Sequence, residues 1–120
     1  MAKQNLFPVL LDGEVTITAD KTWGKTGTGE TGVVGMVKLN GGSANASDLT
    51  FDSDDIPAGL ESGMLIYVIN ISGYAHQIEI TPDPASAAAA DTMSIGIGDI
   101  ITVMYHHDHG FLFFSNVQAT

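Results

Sequence analysis

Five short runs of apolar or alternating residues in the second half of the chain constrain the fold more than any other feature. They are rich in β-branched and aromatic residues, and Gly, Pro, Ser and Asp separate them, as expected for strands joined by turns. This pattern predicts an all-β fold built of antiparallel strands. The predicted strands are Met64–Ile71, His76–Thr81, Met93–Ile97, Ile100–Tyr105 and Phe111–Phe114.

The first of these runs is apolar on both of its faces. Met64, Ile66 and Val68 would point to one side of a sheet, and the residues between them, which are also apolar, would point to the other. Since a sheet with one wet face would waste half of these side chains, we expect the strand to be central and covered twice. The second sheet of a small β-sandwich or jelly-roll-like barrel would be one cover, and a neighbouring subunit the other.

The segment that precedes these strands is less regular. Leu6–Leu11 is apolar without a clean period, and Pro8 disfavours a central strand because proline cannot donate to a ladder. We expect this segment to be either an extended arm that docks on a neighbouring subunit or an edge strand. Glu14–Ala19 alternates with period two and would form a hairpin with it through the turn Asp12–Gly13.

The chain between this hairpin and the apolar strand contains loops rich in Gly, Thr and Ser. Two further strands are predicted at Val33–Leu39 and Asp48–Phe51, and residues 81–91 form the one segment with helical character. With 120 residues the chain fits one domain. We divide it into an N-terminal arm, hairpin and loop, residues 1–42, and an antiparallel β-domain, residues 43–120. The first part belongs to the same domain or is exchanged between subunits.

The charge of the chain is unevenly distributed. The net charge is −10, there is no arginine, and the last of the four lysines is Lys38. Residues 1–38 are neutral, so the whole net charge falls on the remainder. An acidic body of this kind repels phosphates and anionic lipids, which predicts neither nucleic acid nor a membrane as partner.

The apolar content indicates self-association. Hydrophobic residues make up 44% of the chain and the mean hydropathy is +0.19, so apolar surface should remain after a small core is filled. No run is long enough for a membrane helix, and the first residues lack the pattern of a signal peptide. We therefore expect synthesis in a cytoplasm and assembly with other copies of the chain.

Histidines supply the main candidates for chemistry. His107 and His109 stand in a predicted hairpin tip and could chelate one metal ion. A histidine-x-histidine pair in a small β-barrel resembles the metal motif of cupins, but the glutamate usual in that motif is missing, since no glutamate follows Glu79. We expect no metal or other cofactor on one chain, and a tip that is solvated or lies at a subunit contact. If the tip lies on a symmetry axis, several copies could build a metal site together.

No catalytic set is recognisable. The chain has no cysteine, no Gly-x-Ser-x-Gly elbow and no serine with an identifiable base. We expect that the protein is not an enzyme, and a cupin-like metal-binding protein is kept as a second alternative.

The order of motifs after Gly63 resembles a pattern of bacteriophage virion proteins. In that pattern a strand ending in asparagine is followed by an Ile-x-Ile strand, a loop, a Gly-Asp step into an apolar strand, and a Gly-aromatic hairpin end. The resemblance covers about the last half of the chain. The matching residues are Ile66, Val68 and Asn70, then Ile78 and Ile80, then Ile95, Ile97, Gly98 and Asp99, and finally Ile101, Val103, Gly110 and Phe111.

The resemblance implies small β-domains that assemble as trimers in virions. A receptor-binding fibre ordinarily carries a shaft or attachment domain, for which 120 residues leave no room, so we favour a capsid decoration, or cement, protein. It would be made in the host cytoplasm and bind the major capsid protein at the capsid surface as a homotrimer. The alternative is a tail-fibre or receptor- or carbohydrate-binding module that stacks sugars on Trp23 and Tyr74. The candidate contact residues are Leu6, Phe7, Val9, Leu10, Leu11 and Trp23.

Overall fold

A computed structural model describes residues 10–42, 49–81 and 91–114. These residues form nine β-strands and no helix, which confirms the all-β prediction. The strands are β1 (Glu14–Ile17), β2 (Lys21–Thr22), β3 (Met36–Leu39), β4 (Leu49–Asp52), β5 (Leu65–Asn70), β6 (His76–Thr81), β7 (Asp91–Ile95), β8 (Ile100–His106) and β9 (Gly110–Phe113).

The strands form two sheets, and the chain alternates between them. Sheet A has five strands in the order β1-β3-β5-β8-β9, and sheet B has four in the order β2-β4-β6-β7. From β1 to β6 each strand enters the sheet that the previous strand did not, so the chain winds through three coils of two strands. The strands β7 and β8 then pair antiparallel with β6 and β5, and β9 pairs antiparallel with β8.

The prediction of purely antiparallel sheets is therefore wrong, because both sheets are mixed. The pairs β1·β3, β3·β5, β2·β4 and β4·β6 are parallel, and β5·β8, β6·β7 and β8·β9 are antiparallel. Between two successive strands of one sheet, the chain from β1 to β6 crosses to the other sheet and comes back running in the same direction. Such crossovers make the two strands of one sheet parallel neighbours. A jelly roll, which is antiparallel, does not have this pairing.

The two sheets share one apolar core. In β4 and β6 the burial alternates residue by residue, as period-two strands with one covered face require. Sheet A contributes Val37, Leu39, Ile66, Val68 and Val103, and sheet B contributes Leu49, Phe51, Ile78, Ile80 and Ile95, all of them fully buried. The sandwich-like arrangement thus rests on two inner faces that meet.

Four aromatic rings fill one end of this core. Phe111 lies at the centre, with ring centroids of Trp23, Phe51 and Tyr105 at 5.6, 5.2 and 5.7 Å. Trp23 also stacks on Phe51 at 5.7 Å, and its indole N–H donates to the Val34 carbonyl at 2.9 Å. These contacts bring together residues that lie far apart in the sequence, between positions 23 and 111.

The beginning of the described chain departs from the predicted hairpin. β1 pairs in parallel with β3, and Leu10 forms a parallel bridge with Leu65 of β5, so Leu10 and β1 are not hairpin partners. The backbone of Leu11 passes so close to Gly35 that a Cβ at this position would overlap the Leu11 carbonyl oxygen. Glycine at position 35 therefore allows the chain to enter sheet A beside β5.

Strands from both predicted segments build the same two sheets. β3 pairs with β5 and β2 pairs with β4, across the division at residues 42 and 43. The predicted arm residues Leu6, Phe7 and Val9, and most of the segment predicted to be helical, residues 82–90, lie outside the described residues.

Candidate functional site

The outer surface of sheet A is apolar over four strands. In β5 the residues Ile66, Val68 and Asn70 are fully buried and point into the core, so Leu65, Tyr67 and Ile69 point outward. Residues paired across neighbouring strands share a side of the sheet, which places the outward residues of β3, β8 and β9 by register. We call this surface the apolar face; it consists of Met36, Leu65, Tyr67, Ile69, Ile100, Thr102, Met104 and Leu112. Leu65 is itself buried, and the register also turns Lys38, opposite Ile69, to this side at the border of the face.

The centre of the apolar face carries no charged residue. Neither β5, β8 nor β9 contains Asp, Glu or Lys. Charge begins only at β1 and β3, where Lys38 Nζ lies 3.2 Å from Glu14 Oε1. Because the chain has a net charge of −10, this uncharged surface opposes the approach of a second acidic chain less than charged surface does.

The outer surface of sheet B is polar and serves as an internal comparison. There the alternation in β6 turns Gln77, Glu79 and Thr81 outward. In β7, Ser94 pairs with Gln77 and Thr92 pairs with Glu79. The two sheets therefore bury similar inner faces and present opposite outer faces. The apolar face is a property of sheet A and not a general consequence of the composition.

A shallow groove borders the apolar face where the described chain begins. Leu10, Leu11, Met36 and Tyr67 line it with Gly13, Glu14 and Gly35, and its volume is about 360 Å³. Leu10 is 53% exposed. Of the predicted contact residues, Leu10 and Leu11 thus lie beside the apolar face.

Trp23 does not fit its predicted role as a contact residue. Its side chain is 2% exposed and is enclosed by Phe51 and Phe111. Because its ring lies in the core, this side chain is not available to a partner or a sugar at the surface. Tyr74, the other aromatic residue predicted to stack on sugars, is 46% exposed.

The turn between β8 and β9 brings together three imidazoles and a carboxylate. The ring of His106 stacks on those of His107 and His109, with centroids 4.8 and 5.0 Å apart. One potential ligand atom each of His106, His107 and Asp108 lie within 4.8 Å of one another. The structure thus groups His107 with His106 and Asp108, whereas the sequence led us to expect His107 with His109.

A buried serine and histidine meet at the end of β5, which sequence analysis missed. Ser72 Oγ lies 2.9 Å from His76 Nε2, and both residues are buried. The Ser72 hydroxyl has the Asn70 side-chain oxygen at 2.8 Å and the Tyr74 carbonyl at 2.9 Å as acceptors for its one proton. We infer that His76 Nε2 donates its proton to Ser72 Oγ.

This pairing is the reverse of a catalytic one. A base that activates serine must accept its proton, and a third group must orient the imidazole. His76 Nδ1 has no hydrogen-bond partner among the residues that the structure describes. The same side chains instead order the turn: Asn70 also donates to the carbonyls of Tyr74 and Ile95, and the Ser72 amide donates back to Asn70. We assign this network a structural role.

One signal in the sequence points to the whole apolar face. Both alternating sets of residues in Ile100–Tyr105 are apolar or Thr, as they are in the strand at residues 64–69, and β8 lies beside β5 in sheet A. Two such strands side by side give an apolar patch, but their adjacency is known only from the fold.

Comparisons with known proteins identify no relative of this chain. No protein-family model, no curated protein and no solved structure matches it. Within the part of the chain that the structure describes, no helix has the length and apolar character needed to span a membrane.

Proposed function

We propose that this protein is a structural virion protein that decorates a bacteriophage capsid and stabilises it by bridging adjacent shell subunits. The observation that carries the contact role is the difference between the apolar outer face of sheet A and the polar outer face of sheet B. The assignment to a virion rests on the resemblance of the motifs after Gly63. In this account the protein is not an enzyme.

We propose other copies of the same chain as the occupant of the apolar face. Eight outward positions, each covering about 4.8 Å by 7 Å of the sheet, give a flat area of about 270 Å² per chain. Three such faces around one axis give about 800 Å² in total, which is below the roughly 1,200 Å² of a single stable specific interface. A further segment must therefore add to the contact.

Leu6–Leu11 is the segment that we propose to add contact area. The described chain starts at Leu10, next to β5, and Leu10 and Leu11 line the groove at the border of the apolar face. The segment before it is apolar. In the proposed assembly, the apolar face and this segment together join three copies, and the segment also reaches the major capsid protein of the shell.

The proposed mechanism is mechanical. Apolar contacts that span two shell subunits must be separated before those subunits can part, so their burial opposes expansion or internal pressure. Three linked copies bind around one junction with higher avidity than one copy, without any new kind of contact. Exposed strands at the sheet edges can add backbone hydrogen bonds to such a contact.

Co-sedimentation with expanded, undecorated capsid shells tests this proposal. We expect the wild-type chain to pellet with the shells and Leu10→Asp to remain in the supernatant. Ile97→Asp is the matched control, since Ile97 is also largely exposed but lies in the turn between β7 and β8. A wild-type chain that ignores shells, or equal binding of the wild type and Leu10→Asp, would reject the proposed shell contact.

A tail-fibre or carbohydrate-binding module is the alternative that the same sample can test. Stacking on sugars needs exposed rings, and of the two predicted residues only Tyr74 is exposed. Binding on a glycan array that disappears in Tyr74→Ala, together with no binding to shells, would favour this alternative. A blank array with shell binding would favour the cement protein.

A further inference from the structure

We propose that the turn between β8 and β9 binds one divalent transition-metal ion such as Zn²⁺, with ligand atoms from His106, His107 and Asp108. This site is independent of the proposed capsid role. Its ligand atoms lie within 4.8 Å of one another on three consecutive residues. Two imidazoles and a carboxylate are ligands that zinc accepts, with a water at the fourth position of a tetrahedral site.

His107 is prepared to act as a ligand by a hydrogen bond on its far side. Its Nδ1 lies 2.6 Å from Ser62 Oγ, and its backbone amide donates to the same oxygen at 2.8 Å. The other nitrogen, Nε2, lies 3.3 Å from Asp108 Oδ1. Metal-bound histidines characteristically use the second nitrogen in such a hydrogen bond, which fixes the ring and the tautomer.

His106 has a ring nitrogen that accepts a hydrogen bond in this turn. The Asp108 amide donates to His106 Nδ1 at 3.1 Å, so this atom carries a lone pair in the structure. An ion bound there would replace one exposed hydrogen bond, which is a small loss because water can take over the amide. The ring of His109 stacks on the ring of His106. His109 thereby supports the orientation of His106 without being one of the three ligands.

The distances require a modest adjustment that the turn permits. Tetrahedral zinc with bonds of about 2.0 to 2.1 Å brings its ligand atoms to about 3.3 Å from one another. The side chains of His107 and Asp108 are each 66% exposed, so they can rotate without disturbing the core. Since these two side chains must become ordered on binding, we expect affinity in the micromolar range.

The surrounding charge favours a cation. No Lys or Arg occurs after Lys38, so neither β8 nor β9 supplies a positive charge that would compete with the ion. The net charge of −10 attracts cations to the chain in general. Non-specific attraction of cations would not depend on the particular residues of this turn. Substitutions in the turn therefore distinguish a specific site from that attraction.

Isothermal titration of the full chain with zinc chloride tests the site. We expect one ion per chain, binding below detection in His107→Ala and in Asp108→Asn, and a Kd raised about tenfold in Ser62→Ala because the ring loses its support. The matched control is Asp55→Asn, which removes a carboxylate of similar exposure from another turn, and it should bind as the wild type does. His109→Gln should also retain binding.

Two controls make each result decisive. Far-UV circular dichroism of every variant establishes that loss of binding is not loss of folding, which is expected to be intact because the turn is exposed. No heat of binding in the wild type, binding unchanged in His107→Ala, or loss in His109→Gln as large as in His107→Ala would overturn the proposal. One ion per three chains would also overturn it, since the ligands would then come from several copies.

Discussion

Trp23→Ala tests the position of this side chain in the core. Burying a tryptophan removes about 150 to 250 Å² from water, which at about 25 cal/mol per Å² stabilises the fold by about 4 to 6 kcal/mol. Trp23 is 2% exposed and contacts Phe51 and Phe111, so nearly all of this applies. Allowing for partial collapse of the cavity, we expect a loss of about 4 kcal/mol in the free energy of unfolding.

Trp23→Phe separates the ring from its hydrogen bond. Phenylalanine keeps an aromatic ring against Phe51 but loses the indole N–H that donates to the Val34 carbonyl at 2.9 Å. A lost hydrogen bond with its acceptor left unpaired costs about 1 to 3 kcal/mol. We therefore expect this variant to lie between the wild type and Trp23→Ala.

Urea unfolding followed by far-UV circular dichroism measures both variants, because Trp23 is the only tryptophan and its fluorescence is lost. With a slope of about 2 kcal/mol per M, the midpoint of Trp23→Ala should fall by about 2 M. All samples need one protein concentration, since association changes apparent stability. Tyr74→Ala, which removes an exposed ring, should change the free energy by less than about 0.5 kcal/mol. A cost for Trp23→Ala no larger than this control would refute the assignment of Trp23 to the core.

Three further predictions follow from single contacts. Gly35→Ala should cost about 1 to 3 kcal/mol in urea unfolding, because its methyl group would overlap the Leu11 carbonyl; an unchanged midpoint would contradict this close approach. Asn70→Ala should cost about 3 kcal/mol in the same assay, since it leaves several buried hydrogen-bonding groups unpaired; a loss under 1 kcal/mol would contradict the network. The hydrogen bond and the charge of Asp55 raise the pKa of Lys25, so Asp55→Asn should lower that pKa when it is measured by NMR titration. The stabilisation from this pair is complete below the ordinary lysine pKa and is lost as the pH rises through the raised pKa.

The strands of the second half of the chain were predictable because their patterns are local. The run at His76–Thr81 has the predicted bounds, and β5, β8 and β9 lie within one residue of theirs at each end. β7 begins and ends two residues before the predicted run Met93–Ile97. Period-two alternation and β-branched residues depend only on neighbouring positions. β2 was not predicted, because its two residues are too few to show a period.

The parallel pairing was not predictable from the same patterns. Alternation of buried and exposed residues is identical in parallel and antiparallel strands, so direction depends on where each connection leads. Here the connections between successive strands from β1 to β6 cross to the other sheet, and loops rich in Gly, Thr and Ser carry no signal of that crossing.

The candidate sites also combine features that local sequence shows with contacts that only the fold creates. The doubly apolar strand predicted apolar side chains on both sides of its sheet, and the structure extends the outer apolar face to residues of β3, β8 and β9, which the fold places beside it. Its covering by a neighbouring subunit stays a prediction. Trp23 stands in a Gly-rich segment typical of the surface, and its burial comes from Phe51 and Phe111, which are distant in sequence. In the turn between β8 and β9, Ser62 reaches His107 from another part of the chain, and sequence spacing does not show such a contact.

Sedimentation equilibrium of the wild type, Ile100→Lys and Thr92→Lys is the most direct test of the apolar face as a contact surface. Both variants introduce the same charge at an exposed strand position, one on the apolar face and one on the outer face of sheet B. We expect the wild type and Thr92→Lys to have three times the monomer mass of 12.6 kDa, and Ile100→Lys to sediment as a monomer. A monomeric wild type, or an Ile100→Lys variant that remains a trimer, would contradict the account.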